Sequence, residues 1–302
     1  MNAQLRPQEP RIGIFTDEPA ESYYVRRLEE ANASGLKLID GKSPAHFYHY
    51  VTNPDDDAET PAKTFGKAFH CNVLEPDVFD RTYAVLPADA PQRPTAAMLN
   101  AKNPSIESLH RQDWWRAWND RNGTRTILPA ADYDRAQRMG DSVRAHPVAA
   151  GLIVGGDREA TLRWVDEETG AACKARVDNL IRKVCMVDAK SCLDASPEAF
   201  ARAAAGYRYD AQAAHYMDGG RLLLGDDAPE HFITLAVEST PPNVCVPYYF
   251  GPMEEQRGWA LRQRAIRKQA ECLRTGIWPG YSDNLTQLTY PTWAHYGIEE
   301  MQ

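Results

Sequence analysis

The sequence predicts an α/β domain built on a mixed sheet, and three observations carry that prediction. From residue 158 the hydrophobic period changes from helical to alternating, in three consecutive strand-like runs, REATLRWV, CKARVDNLI and VCMVDAKSC. Two further strand-like runs, HFITLAVEST and CVPYYF, follow after a helical stretch. A long amphipathic segment, GWALRQRAIRKQAECLRTG, closes the chain. The order α, β, β, β, α, β, β, α suits one layered domain.

The 302 residues suffice for one large domain or two small ones. The pattern divides them into an N-terminal extension, 1–32, and a single domain, 33–302, whose first part, 33–150, is mainly helical. Residues 1–30 are polar. ASGLKLIDGKSPAHFYHYVT, from Ala33, holds short helical patterns around a Gly-Lys-Ser-Pro break. NPDDDAETP, 53–61, has the composition of a loop. In FGKAFHCNVLEPDVF, 65–79, Phe65, Phe69 and Val73 recur at four-residue steps until Pro76, which predicts a helix ending there. TYAVLP reads as a short strand and 87–105 as a loop. SLHRQDWWRAWNDRNG predicts a helix stopped near Gly123, with Trp114, Trp115 and Trp118 as packing residues. A further helix starts near Asp132 and breaks at Pro147. Downstream, SPEAFARAAAGYRYDAQAAHYMDGGRLLLG predicts two helices broken near Gly206.

Composition bounds the function. Hydrophobic residues make up 43% of the chain, so a core is available, and the mean hydropathy of -0.55 suits a soluble protein. No run reaches the roughly 18 apolar residues of a membrane helix, and the N-terminus lacks the pattern of a secretory signal. An intracellular, cytoplasmic location is expected. The six cysteines form no CxxC pair, and buried free thiols are the expectation in that setting. A formal net charge of -8 lowers the prior for nucleic acid without removing it, because a local basic surface is sufficient.

The chemistry concentrates in CKARVDNLIRKVCMVDAKSC, 173–192. Asp188 and Lys190 project to one side of their strand, and Asp178 shares a side with Arg176 and Leu180. A hairpin turning at Arg182–Val184 puts Asp178 opposite Asp188, with Cβ atoms about 5 Å apart. Two such carboxylates repel, and a divalent cation removes the conflict; magnesium with its oxygen preference suits them. Lys190 beside it can position or deprotonate a water nucleophile, or hold a scissile phosphate. A solvated hairpin with a surface ion pair is the competing reading.

Other residues are candidates on weaker grounds. His70, on the helix of Phe65 and Phe69, is either a metal ligand or a satisfied core imidazole. Glu159 either orients a water near the metal or is a surface acid on an edge strand. Gln212 and Tyr216 share a helical face and could meet phosphate, or they mark an amphipathic boundary. Basic and aromatic residues around Arg202, Tyr207, Arg208 and Tyr209, and along RQRAIRKQAECLR, offer surfaces for a DNA backbone or are ordinary solvated faces.

Taken together, KSPAHF at 42–47, GKAFHCNVLEPDVF at 66–79, RWVDEETGAACKARVDNLI at 163–181, VCMVDAKSCLDASPEAFARAAAGYRYDAQAAHYMDG at 184–219 and Trp278-Pro279 resemble the RecE-like exonucleases of phages and prophages, within the PD-(D/E)xK nuclease superfamily. The likeness runs from about Leu36 to Ala294. It implies a restriction-endonuclease-like core over 151–302. It also implies metal ligation by His70, Asp178 and Asp188, a catalytic Lys190, the helix motif Gln212 and Tyr216, and a supporting role for Glu159. The implied activity is Mg²⁺-dependent, with Mn²⁺ as substitute: an ATP-independent 5' to 3' exodeoxyribonuclease acting on double-stranded DNA ends. The resemblance further implies a ring-shaped homo-oligomer, a single-strand annealing partner, and a phage or prophage gene expressed in a bacterial cytoplasm. Two departures stand out. Val177 occupies the place of the usual proline before the first acid, and Asp188 that of the commoner glutamate; neither removes a ligand. A non-cutting DNA-binding scaffold, an endonuclease of the same superfamily and a small-molecule metallohydrolase are the alternatives.

Overall fold

Polar starts and proline stops set the N-terminal elements. The computed structural model describes residues 11–53 and 59–291, so most of the loop expected at 53–61 and the end of the RecE-like stretch lie outside the described residues. β1 (Gly13–Phe15), α1 (Ala20–Tyr24) and β2 (Glu30–Ala31) come first, followed by α2 (Ala33–Gly41) and α3 (Pro44–Thr52). Asn32 caps α2 by accepting the Gly35 N–H at 3.0 Å, and Ser43 caps α3, which makes the Gly-Lys-Ser-Pro stretch a helix–helix joint. α4 (Pro61–Leu74) is capped by Thr60 and ends at Glu75, which precedes the proline that opens α5 (Pro76–Thr82).

β3 (Tyr83–Val85), α6 (Ala96–Leu99), α7 (Ile106–Asn122) and β4 (Thr126–Leu128) form an excursion. β3 and β4 pair with each other in parallel, away from the main sheet. The stretch 87–105, expected as loop, thus contains one short helix. α8 (Ala130–Ala145) and α9 (Ala149–Leu152) lead into β5 (Asp157–Val165), β6 (Ala172–Ile181) and β7 (Cys185–Cys192). α8 begins at Ala130, near Asp132 as expected, with Asp132 in its first turn. α10 (Pro197–Tyr207), α11 (Tyr209–Leu224), β8 (His231–Glu238), β9 (Cys245–Tyr249) and α12 (Pro252–Thr275) complete the order. The break between α10 and α11, expected near Gly206, lies two residues on at Arg208, in the left-handed region (φ 55°).

The main sheet runs β1-β5-β6-β7-β8-β9, with β2 parallel to β6. Only β7 and β8 run parallel along the principal path, because the α10–α11 crossover carries the chain back to the same end. The sheet is mixed, as expected. One apolar core joins it to α2, α3, α11 and α12, and a second to α4, α5, α8 and α9. Within the first, Arg262 of α12 is 1% exposed and reaches Asp166 and Asp218, each at 2.6 Å.

The N-terminal stretch is part of this architecture. β1 pairs with β5. Arg163 on β5 bridges Glu18 (2.7 Å) and Glu30 (2.9 Å), and Lys174 on β6 reaches Glu30 (2.8 Å) and the Val25 carbonyl (2.7 Å). All six cysteines are free thiols.

Candidate active site

Strand register lines up three acids. β5 and β6 pair Arg158 with Asn179 and Ala160 with Val177, which sets Glu159 opposite Asp178. β6 and β7 pair Ile181 with Cys185, Leu180 with Met186 and Asn179 with Val187, which brings the strands to one step from Asp178 and Asp188. The ladder does not continue there: the Asp178 carboxylate takes the Ala189 N–H at 2.7 Å, in place of a backbone partner. Alternation also slips at this row. Val177 and Leu180 are three apart yet enter the same core, which strict alternation forbids. Glu159 marks the slip with a left-handed backbone (φ 50°), a conformation that costs a non-glycine residue about 1–3 kcal/mol and concentrates at functional sites.

The adjacent helix supplies the fourth group. α4 buries Phe69 and sets His70 beside it, with Nδ1 3.2 Å from Asp178 Oδ2. One ligand atom from each of His70, Glu159 and Asp178 lies within 4.8 Å of the others. Glu159 is thus no edge-strand acid, since β5 lies between β1 and β6; its carboxylate also receives Arg176 Nε at 2.7 Å.

Asp188 stands outside that group of three. Its Oδ2 is 2.5 Å from Lys190 Nζ, and its Oδ1 accepts Gln212 Nε2 at 2.9 Å. Gln212 is turned by Lys37 of α2, whose Nζ donates to Gln212 Oε1 at 3.1 Å. Lys190 and Lys37 lie 5.3 and 5.5 Å from the Tyr209 ring centroid. Tyr216, expected beside phosphate, is buried; its ring edge meets Phe232 and its hydroxyl interacts with that of Tyr23. Lys37, Arg176 and Tyr209 complete the polar surroundings. Lys37 escapes a sequence reading because GLKL resembles any amphipathic turn.

Burial and mutual charge govern the titrations. Burial raises the Asp188 and Glu159 carboxyls above their ordinary values, and the nearby Asp178 charge adds to it. Burial also opposes ionisation of Asp178, but His70, Lys190 and the Ala189 N–H outweigh it and hold its carboxyl low. Burial works against charged His70 and Lys190 too, yet Asp178 lifts the first and Asp188 with Asp178 the second. Lys37 has no such carboxylate contact; burial, then the Lys190 charge, pushes it down to about 8.

The donor set fits a divalent cation. Two carboxylates whose proximity raises one of them gain from a shared positive charge, and a neutral imidazole completes one side of a coordination sphere. The oxygens suit Mg²⁺ or Mn²⁺, and the imidazole favours softer ions, so the site is divalent without being specific for magnesium.

No helix among the described residues is long and apolar enough to cross a membrane. Known proteins place the fold. A solved structure from Eubacterium rectale, provisionally named an exonuclease, superposes with a TM-score of 0.56 at 13% identity, covering 93% of this chain and 99% of that one. At that identity the likeness concerns the fold, and it bears out the restriction-endonuclease-like α/β core. No curated protein matches the chain. Residues 32–289 match the family described as "PDDEXK-like domain of unknown function (DUF3799)", and because that match spans most of the chain, the protein belongs to this family.

Proposed function

We propose that the protein is a metal-dependent exodeoxyribonuclease that hydrolyses linear double-stranded DNA from its ends, 5' to 3' and without ATP. The fold family and the His70–Glu159–Asp178 cluster support a metal-dependent nuclease. The observation that carries the reading is the acid row across β5, β6 and β7 with Lys190 at its end. In this reading His70, Glu159 and Asp178 would hold the cation, and Asp188, paired with Lys190 and Gln212, would hold the lysine beside it. The cation supplies Lewis-acid polarisation of the phosphate and neutralises charge between the acids.

The remaining roles belong to the chain's own groups. The raised pKa of Lys190 keeps its ammonium protonated near neutrality, so it donates hydrogen bonds to the scissile phosphate or the attacking water rather than removing a proton. Gln212 fixes Asp188 and is itself fixed by Lys37. Arg176 holds the Glu159 carboxylate in place. Tyr216 acts through Tyr23 as a positioning residue.

RecE-like relatedness, a ring-shaped homo-oligomer whose lining is basic despite the net charge of -8, an annealing partner and a bacterial cytoplasmic setting belong to the same proposal. Product analysis on 5'-labelled and 3'-labelled linear duplex, with a circular control, in Mg²⁺ or EDTA, tests it. Labelled mononucleotide from the 5' end, Mg²⁺-dependent and absent from circles, is expected. Cleaved circles would turn the reading to an endonuclease, and retained binding without any product to a non-cutting scaffold.

A further inference from the structure

The excursion between β3 and β4 carries a second surface with its own chemistry, apart from the acid row. On α7, Trp114 and Trp118 lie one turn apart with rings 5.7 Å between centroids and 7° from parallel. Both are half-exposed, whereas Trp115 is buried and donates its indole N–H to the Pro91 carbonyl at 3.0 Å. Packing, the role expected of all three, therefore accounts for Trp115 and leaves the other two presenting flat apolar rings outward. They line a groove of about 550 Å³ together with Arg121, Asn122, Arg125 and Asp89.

The charges of this helix are divided unequally. Away from the groove, Arg111 is matched by Glu107 (2.6 Å) and Arg116 by Asp113 (3.1 Å). On the groove, Arg121 donates to the Ala117 carbonyl (3.1 Å) and Arg125 to Asn122 Oδ1 (3.4 Å). Neither has a carboxylate partner among the described residues. Two guanidiniums without a carboxylate hydrogen bond beside two stacked indoles, on a chain of net charge -8, form a local exception to the acidic whole. Asp89 offsets one of the two charges.

We propose that the Trp114–Trp118–Arg121–Arg125 groove binds single-stranded DNA, with unpaired bases stacked on the indoles and backbone phosphates on the guanidiniums. Aromatic faces with adjacent cations are what a single strand requires, because its bases expose π-faces that a duplex keeps stacked on one another. The choice of DNA over RNA rests on the nuclease function proposed above: digestion of one strand of a duplex leaves the other unpaired. The groove would hold that strand clear of the acid row.

The test is fluorescence anisotropy of a labelled oligo(dT) with the full chain in EDTA, where no cleavage interferes, over a range of salt. Trp118→Ala should weaken binding by about tenfold, the scale of one lost base–aromatic stack. The double variant Arg121→Gln/Arg125→Gln keeps the indoles, and should flatten the slope of log K against log salt by about 1.4 for two lost phosphate contacts on a single strand. A blunt duplex should lose little with either variant. Unchanged oligo(dT) affinity and slope in the arginine variant would overturn the proposal, as would equal losses for duplex, or groove-dependent binding of oligo(U) alone. If Trp118→Ala unfolds by circular dichroism, the arginine variant decides. A chain that fails to cut in Mg²⁺ but binds oligo(dT) through this groove refutes the nuclease reading and leaves the groove standing.

Discussion

Lys190 and His70 put the site to its sharpest tests. Lys190→Ala removes an ammonium that touches Asp188 but leaves the His70–Glu159–Asp178 cluster intact. Turnover should fall by about 10²–10³-fold, the scale of one lost donor to developing charge, with the Mg²⁺ titration midpoint little changed. Unchanged turnover would remove Lys190 from the mechanism. His70 gives a pH dependence. Its folded pKa lies above the ordinary 6.5, so without metal its contribution to stability is complete below 6.5 and is lost as pH rises through the folded value. A cation must displace that proton. Mn²⁺ affinity measured calorimetrically should therefore climb with pH by about tenfold per unit until the folded value is passed, for one proton released. A flat profile would contradict ligation by His70. Asp178, Asp188 and Lys190 were legible from spacing because hairpin register is simple arithmetic. Glu159 was half legible: its strand was evident, but its place in the row needs the β5–β6 register and a left-handed backbone that no local pattern announces. Lys37 and Arg176 were illegible, since their roles depend on neighbours 175 and 17 residues away.

At the scale of elements, the crossover helix α11 decides which groups reach Asp188. It packs tightly on α12: a Cβ added at Gly258 would lie 2.3 Å from the Asp210 carbonyl oxygen and 2.6 Å from its carbon. Backbone cannot yield as a flexible side chain does. Gly258→Ala should cost about 1–3 kcal/mol by overpacking, read as a lower melting temperature. Because the displaced turn carries Gln212 two residues on, activity should fall further than stability alone explains; a full-rate variant would show that α11 has slack. The element order was evident from periodicity, since α2, α3, α4 and β5 to β9 are amphipathic or alternating. Periodicity leaves open the joints set by backbone conformation and the pairings set by distant partners. The α10–α11 break falls at Arg208 because a left-handed residue, here not glycine, turns the chain. The TYAV strand forms as expected, but its partner, β4, lies across a forty-residue excursion that no local pattern marks.

Over the whole molecule, buried charge ties the layers together. Arg262 faces Asp166 and Asp218 within the core shared by β5, α11 and α12. Arg262→Ala would leave Asp166 without a cation and Asp218 with only the exposed Arg221 (3.2 Å), and should destabilise by about 3–5 kcal/mol, measured by denaturant melts. Burial raises the Asp166 carboxyl, but Thr169 and Arg262 together hold it below its ordinary value. Its stabilisation is present above the unfolded pKa and is lost as pH falls through the folded one, so acid should melt wild type more steeply than the variant. What residues 11–31 contribute was the least legible feature, because their contacts are made to strands more than a hundred residues away. Their carboxylates Glu18 and Glu30 are what Arg163 and Lys174 were placed to meet. A truncated form beginning at residue 33 would strand both cations in the interior and strip β1 and β2 from the sheet. It should come from expression as insoluble protein rather than as a trimmed enzyme.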